Sequence, residues 1–214
     1  MDYAYGDWFL VIMTSGLFVW FSYDAFKPKN KIDWRSFGAF TAFIIALFTE
    51  MYGFPLTIYL LSSFLGNKFP QLNFTHNSGH LWEVFLGDKG DPHFSFLHIL
   101  SYGLIIFGFL LIGKSWKILY QSVKHGVIAT KGPYKYVRHP QYLGFLIIIV
   151  GFLAQWPTLP TLIMAPTLLI MYLRLARKEE QITLQTHPEY ANYQKTTPSF
   201  IPSLKKLVRS KLKL

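Results

Sequence analysis

Long apolar blocks alternate with short polar stretches along this chain, and the blocks have the length of membrane-crossing helices. A helix needs about 20 apolar residues to cross a hydrocarbon core about 30 Å thick. Five blocks qualify: residues 8–26, 36–56, 94–113, 141–156 and 159–173. The last two are short and form a hairpin, because Trp156-Pro157-Thr158-Leu159-Pro160 cannot continue a helical ladder. The second block runs on in apolar sequence to Leu65, which as one helix would be about 45 Å long, so Gly53 and Pro55 are expected to break it. Asp2 and Asp7, with no basic residue, precede the first block, which therefore reads as a retained span rather than a signal peptide.

This pattern predicts an all-α, polytopic membrane protein with about five transmembrane helices, forming a single membrane domain over residues 1–214. Residues 1–113 hold three spans and an outer loop; residues 114–214 hold the hairpin and a polar C-terminal segment. Composition agrees, with 51% hydrophobic, 18% aromatic and only 15% charged residues. The absence of cysteine excludes disulfides, thiolate metal sites and cysteine nucleophiles.

Charge orients the spans. The 21 Lys and Arg fall in the six non-spanning segments as 0, 4, 2, 6, 0 and 9, so 19 lie on one side. The positive-inside rule makes that side cytoplasmic, which puts the N-terminus outside and the C-terminus inside. The net charge of +10 follows from this asymmetry and needs no nucleic acid; its partners are anionic membrane lipids. The tail from Leu204 to Leu214 mixes leucine with lysine and is expected to lie on that lipid surface.

Two polar stretches bracket the hairpin. The first, residues 126–144, holds Gly132-Pro133 as a turn and Arg138-His139-Pro140 at the start of the fourth span. There a cation and an imidazole meet a helix N-terminus, which itself favours an anion. An interfacial belt with Tyr134, Tyr136 and Tyr142 is the plainer account. The second stretch, Tyr172 to Glu180, reads as a solvated helix end whose Arg and Lys complement the helix dipole. Its acids Glu179 and Glu180 continue a helix rooted in the bilayer. Arg174 and Glu179 stand about 140° apart on such a helix, so they converge only on a common ligand or across a break.

Other polar groups carry less. His76 and His80 have the spacing of helical metal ligands, but Asn77-Ser78-Gly79 between them reads as a turn, and no metal is assigned. Glu50 lies in an apolar run, either as a contact for a lipid's polar end or as a residue at the Gly53-Pro55 break. No Gly-x-Gly occurs, which excludes a Rossmann-type or glycine-rich phosphate loop.

Read in order, Gly132-Pro133-Tyr134, Arg138-His139-Pro140-x-Tyr142-x-Gly144, Arg174 with Glu179, Tyr190-x-x-Tyr193, and Pro198 with Pro202 resemble the isoprenylcysteine carboxyl methyltransferases and the related phospholipid N-methyltransferases. The resemblance covers about the last 90 residues. It implies S-adenosylmethionine bound in a cytoplasmic pocket formed by the last two spans, the loop before them and the C-terminal segment. It implies that Ile128, Ala129, Thr130, Gly132, Pro133, Tyr134, Arg138, His139, Pro140, Tyr142 and Tyr190 hold that cofactor. Arg174, with Glu179 or Glu180, would stand at the reacting end, and a lipophilic acceptor would enter from the bilayer. The family's paired acid falls on Lys178-Glu179 here, with Glu180 as an extra acid, and Thr186-His187-Pro188 stands where members often have Phe-Gly.

Methyl transfer suits these residues, because the cofactor is already the electrophile and the protein supplies alignment and charge placement. A carboxylate acceptor needs no base, whereas an amine or thiol would call on His139 or Glu179. Two rivals remain: an NADPH-dependent sterol or steroid reductase, whose Asn-Tyr-x-Gly followed by an acid is replaced here by Gln141-Tyr142-Leu143-Gly144-Phe145, and a non-catalytic membrane scaffold.

Overall fold

The computed structural model describes residues 5–87 and 90–202. The tail expected to lie on the membrane, Leu204 to Leu214, falls outside them. The described chain is helical, and five of its helices pass between the two ends of a bundle. They are α1 (Trp8–Phe26), α2 (Lys31–Phe48), α5 (Phe96–Lys124), α6 (Pro140–Gln155) and α7 (Leu159–Thr186). Three shorter helices join them: α3 (Leu56–Leu65), α4 (Leu81–Leu86) and α8 (Tyr190–Thr196).

Helix starts follow local capping chemistry. Asp7 accepts from Leu10 N–H at α1, and Asn30 with Asp33 makes a capping box at α2. That box starts α2 five residues before the apolar block that marked it. Thr158 and Thr161 form the corresponding box at α7. Helices α5 and α7 run past their apolar blocks to 29 and 28 residues, because nothing in Lys114 to Lys124 or Arg174 to Thr186 stops a helix.

The expected count of five spans is met only in part. Helices α1, α2 with its continuation to Gly53, α5 and α7 are long and apolar enough to cross a membrane. Helix α6 has 16 residues, about 24 Å, and falls short by length. Its apolarity has another cause: it is buried inside protein. Phe145, Ile148, Ile149 and Phe152 pack into the core with Phe26, Phe40 and Phe43. Gly108 of α5 and Gly144 of α6 let these two helices touch, since a Cβ on Gly108 would stand 2.8 Å from the Gly144 carbonyl oxygen. The outer faces of α1 and α5 expose Phe9, Ile12, Leu17, Trp20, Ile106 and Leu110, as a lipid-facing surface should.

The break in the second block is present. Helix α2 widens into a π-turn at Thr49–Gly53, and the chain restarts at Leu56 after Pro55. Glu50 sits at this break and accepts from Thr57 N–H (3.1 Å), capping the start of α3. At the same end, His76–Gly79 forms a 3-10 turn, as the intervening residues suggested. It does not separate His76 from His80 but folds them together with His93, their ring nitrogens lying within 4.8 Å of one another.

Candidate functional site

At the other end of the bundle lies a cavity of about 720 Å³. Six segments enclose it: Lys29–Asp33 at the start of α2, the end of α5 with Gly126–Ala129, the turn at Tyr134, the start of α6, the end of α7, and α8. The volume is in the range of small-molecule and cofactor sites.

The α5–α6 connection reaches the cavity through a turn at Gly132–Lys135. Gly132 has φ +58°, and a Cβ there would meet Ile118 Cδ1 at 2.5 Å, so glycine alone suits the position. Tyr134 is buried, donates to Gln141 Oε1 (3.2 Å), and its carbonyl accepts from Tyr193 OH (2.5 Å). Burial pushes the Tyr134 hydroxyl well above its ordinary pKa, so it stays a neutral donor.

Arg138 ties the C-terminal segment across this end. Its backbone N–H donates to Pro198 O (2.9 Å), and His139 N–H donates to Ser199 O (3.1 Å). The guanidinium donates to Glu180 Oε1 (2.7 Å), Gln194 O (3.1 Å), Thr197 O (2.5 Å) and Ser199 Oγ (2.6 Å). A planar fork with several fixed donors makes this set possible where a lysine could not.

His139 is 3% exposed and lies between two carboxylates. Its Nε2 is 2.7 Å from Glu180 Oε1, and its Nδ1 is 3.6 Å from Glu179 Oε2, too far for a good hydrogen bond but close enough for ion pairing. Burial alone would lower the imidazole pKa, but the two carboxylates outweigh it and hold it above its ordinary value. Glu180 Oε2 accepts from Gln194 Nε2 (2.9 Å), and Glu179 Oε1 accepts from the Tyr142 hydroxyl. Tyr142 itself stacks on Tyr172 in the core. The result is a connected polar network whose members fix one another.

Of the residues singled out in the sequence, Ile128, Ala129, Tyr134, Arg138, His139, Glu179, Glu180 and Tyr190 line the cavity. Gly132, Pro133, Pro140 and Tyr142 shape its walls without lining it, and Thr130 lines a neighbouring cleft. Arg174 does not join them. It is exposed and outside the cavity lining, and helix α7 is unbroken between it and Glu179, so their 140° separation persists. The arginine–carboxylate pair in the site is Arg138 with Glu180 instead.

Sequence reading missed the α1–α2 turn. Asp33 is buried, and its Oδ2 accepts from Lys29 N–H (3.0 Å) and Asn30 N–H (3.1 Å), which presents the turn to the cavity. Nothing in the sequence placed this turn beside α7. Lys178 and Tyr193 also line the cavity, and Gln194 joins its network.

A multi-pass membrane bundle with this cavity at one end defines the class, and comparison with known proteins shows what part of the chain is similar to. Residues 95–186, less than half of the chain, match the isoprenylcysteine carboxyl methyltransferase family. The match runs from the N-cap of α5 to the last residue of α7. The chain is 33% identical over 108 residues to the cobalt-zinc-cadmium resistance protein CzcN of Cupriavidus metallidurans, covering 50% of each. It is 31% identical over 108 residues to the nickel-cobalt-cadmium resistance protein NccN of Alcaligenes xylosoxydans xylosoxydans, covering 50% of this chain and 51% of that one. The matched stretch thus spans about half the length of these relatives. No solved structure matches the chain.

Proposed function

We propose that this protein is an S-adenosylmethionine-dependent methyltransferase that binds its cofactor in the cavity at Arg138, His139, Glu179 and Glu180 and methylates a lipophilic acceptor. The observation that carries this reading is the joining of the 138–140 and 179–180 stretches around one space of cofactor size, within a segment of methyltransferase-family sequence.

The residues present fit such a cofactor. Glu179 is partly exposed to the cavity, its Oε1 held by Tyr142, so a negative charge faces the space where a sulfonium would sit. Lys29, Lys31 and Lys178 offer cations to a carboxylate, and Tyr120, Tyr134, Tyr190 and Tyr193 offer rings to an adenine. When bound, the cofactor supplies an electrophilic methyl group. Arg138 and Glu180 hold the C-terminal segment over the cavity and keep water from it. His139 orients Glu179 and Glu180, and Glu179, which faces the cavity, can take a proton from an amine or thiol acceptor. A carboxylate acceptor needs no such transfer.

An open cleft of about 1580 Å³ between the end of α1 and α5 shares Lys29, Trp116, Tyr120, Val127 and Ile128 with the cavity. Phe109, Leu110 and Ile118 give it an apolar side, which supports sideways entry of the acceptor from the bilayer. The cavity end gathers the basic segments after α1, after α5 and at the end of α7, which supports a cytoplasmic position for it. The test is a calorimetric titration of the purified chain with S-adenosylmethionine and, separately, NADPH. Binding of the first and not the second supports this reading; binding of NADPH alone replaces it with the reductase.

A further inference from the structure

The end of the bundle away from the cavity holds a group of imidazoles that methyl transfer does not use. His76, His80 and His93 each offer one ring nitrogen, and these atoms lie within 4.8 Å of one another. His76 and His80 flank one 3-10 turn and His93 lies on a second, Pro92–Phe94, so the third imidazole joins the other two by tertiary packing. The His98 ring packs beside them, 5.1 Å from that of His80 and 5.3 Å from that of His93.

Hydrogen bonding fixes which nitrogen is presented. His80 Nδ1 is 3.1 Å from the Gln155 carbonyl oxygen, which only accepts, so Nδ1 carries the proton and Nε2 the lone pair. That Nε2 is buried without a hydrogen-bond partner in a residue only 1% exposed. A buried nitrogen in that condition costs free energy unless something fills its lone pair. His93 Nδ1 is 2.9 Å from Asp91 Oδ1, which leaves its Nε2 available in the same way. A carbonyl or carboxylate on the far nitrogen is the usual second layer of a metal-binding histidine.

The two buried rings are also held in place. Trp156 packs against His76 (4.5 Å) and His80 (4.6 Å), and Tyr52 stacks on His76 (5.5 Å). A Cβ on Gly79 would come within 1.9 Å of the Trp156 ring, so this close packing needs glycine between the two histidines.

We propose that His76, His80 and His93 bind one divalent transition-metal ion of the zinc and cobalt class, at the end of the bundle opposite the cofactor cavity. Imidazole suits these ions, and three protein ligands leave a fourth position for water. Tetrahedral bonds of about 2.0–2.1 Å set nitrogens about 3.4 Å apart. The present spacing therefore has to shorten on binding. His93 is the ligand that moves, because its side chain is 43% exposed while the other two are packed against Trp156. The ion would tie the turns carrying His76 and His93 to the end of α6. The length of α6 separates it from His139 by about 24 Å, so it takes no part in transfer.

The test uses the full chain in detergent, freed of any polyhistidine tag and stripped with a chelator. Zn²⁺ is titrated calorimetrically and Co²⁺ by its visible absorption. One equivalent of Zn²⁺ with a dissociation constant below about 1 μM is expected, together with a tetrahedral-type Co²⁺ band and a raised melting temperature. His80→Ala and His93→Ala should each weaken Zn²⁺ binding about tenfold or more. His93 is exposed, so its variant keeps the fold even if His80→Ala does not, and circular dichroism monitors both. Absence of stoichiometric Zn²⁺ binding, or binding unchanged in His93→Ala, overturns the proposal. S-adenosylmethionine binding measured on the same samples tests the methyltransferase reading separately.

Discussion

His139 Nε2 lies 2.7 Å from Glu180 Oε1, joining the residue that opens α6 to a carboxylate near the end of α7. The same oxygen accepts from Arg138 Nε at 2.7 Å, so one carboxylate holds two adjacent cationic or proton-bearing side chains. This contact closes the hairpin's ends around the cavity, and its other oxygen reaches α8 through Gln194.

Glu180→Gln removes the charge that Arg138 and His139 share while keeping the side-chain shape. Arg138 and Glu180 are each 12% exposed at the side chain, so breaking the pair leaves a nearly buried guanidinium poorly compensated. The expected loss is about 3 kcal/mol of stability, with cofactor affinity reduced about tenfold or more. Thermal unfolding and calorimetric titration of the variant check both.

The His139 pKa gives a direction for pH. It is raised in the folded protein because Glu179 and Glu180 outweigh burial, so folding favours the protonated imidazole. Its contribution to stability is full below the unfolded value near 6.5 and is lost as pH rises through the folded value. Melting temperature should therefore fall as pH rises from about 6.5 upward. His139→Gln should flatten that slope, measured by differential scanning fluorimetry in detergent.

Arg174→Ala distinguishes the geometry of α7 from the sequence pattern. Arg174 is exposed and outside the cavity lining, so cofactor affinity should stay within about twofold of the parent chain. A tenfold loss in a titration would show that Arg174 reaches the cavity after all.

Gly144→Val tests the contact between α5 and α6. A Cβ there would stand 2.5 Å from Ile112 Cγ1 and 3.0 Å from the Gly108 carbonyl oxygen, so the branched side chain forces the helices apart. Stability should drop by about 2 kcal/mol or more, read as a lower melting temperature.

Much of the fold was legible because apolar blocks and caps are local signals. Trp8 to Phe26 was bounded to the residue, and Gly53 with Pro55 located the break after α2. Composition could not distinguish apolar residues facing lipid from those facing protein, which is why the short α6 read as an ordinary span. In the site, the hairpin brought Arg138-His139 and Glu179-Glu180 together as its topology required. Arg174 was chosen from its place in the resemblance, and spacing along α7 sets it outside the cavity lining. Asp33 and Gln194 stayed hidden, since only tertiary packing sets them beside residues far away in sequence. The histidines were seen singly, but their cluster depends on the Pro92–Phe94 turn coming to the 3-10 turn at His76.

The most direct test of the central claim is calorimetric titration of the purified full chain with S-adenosylmethionine, beside Glu180→Gln and Arg174→Ala. Saturable one-to-one binding, weakened about tenfold by the first substitution and unchanged by the second, is the expected result. Absence of binding by the folded parent chain, or binding indifferent to Glu180, would contradict it.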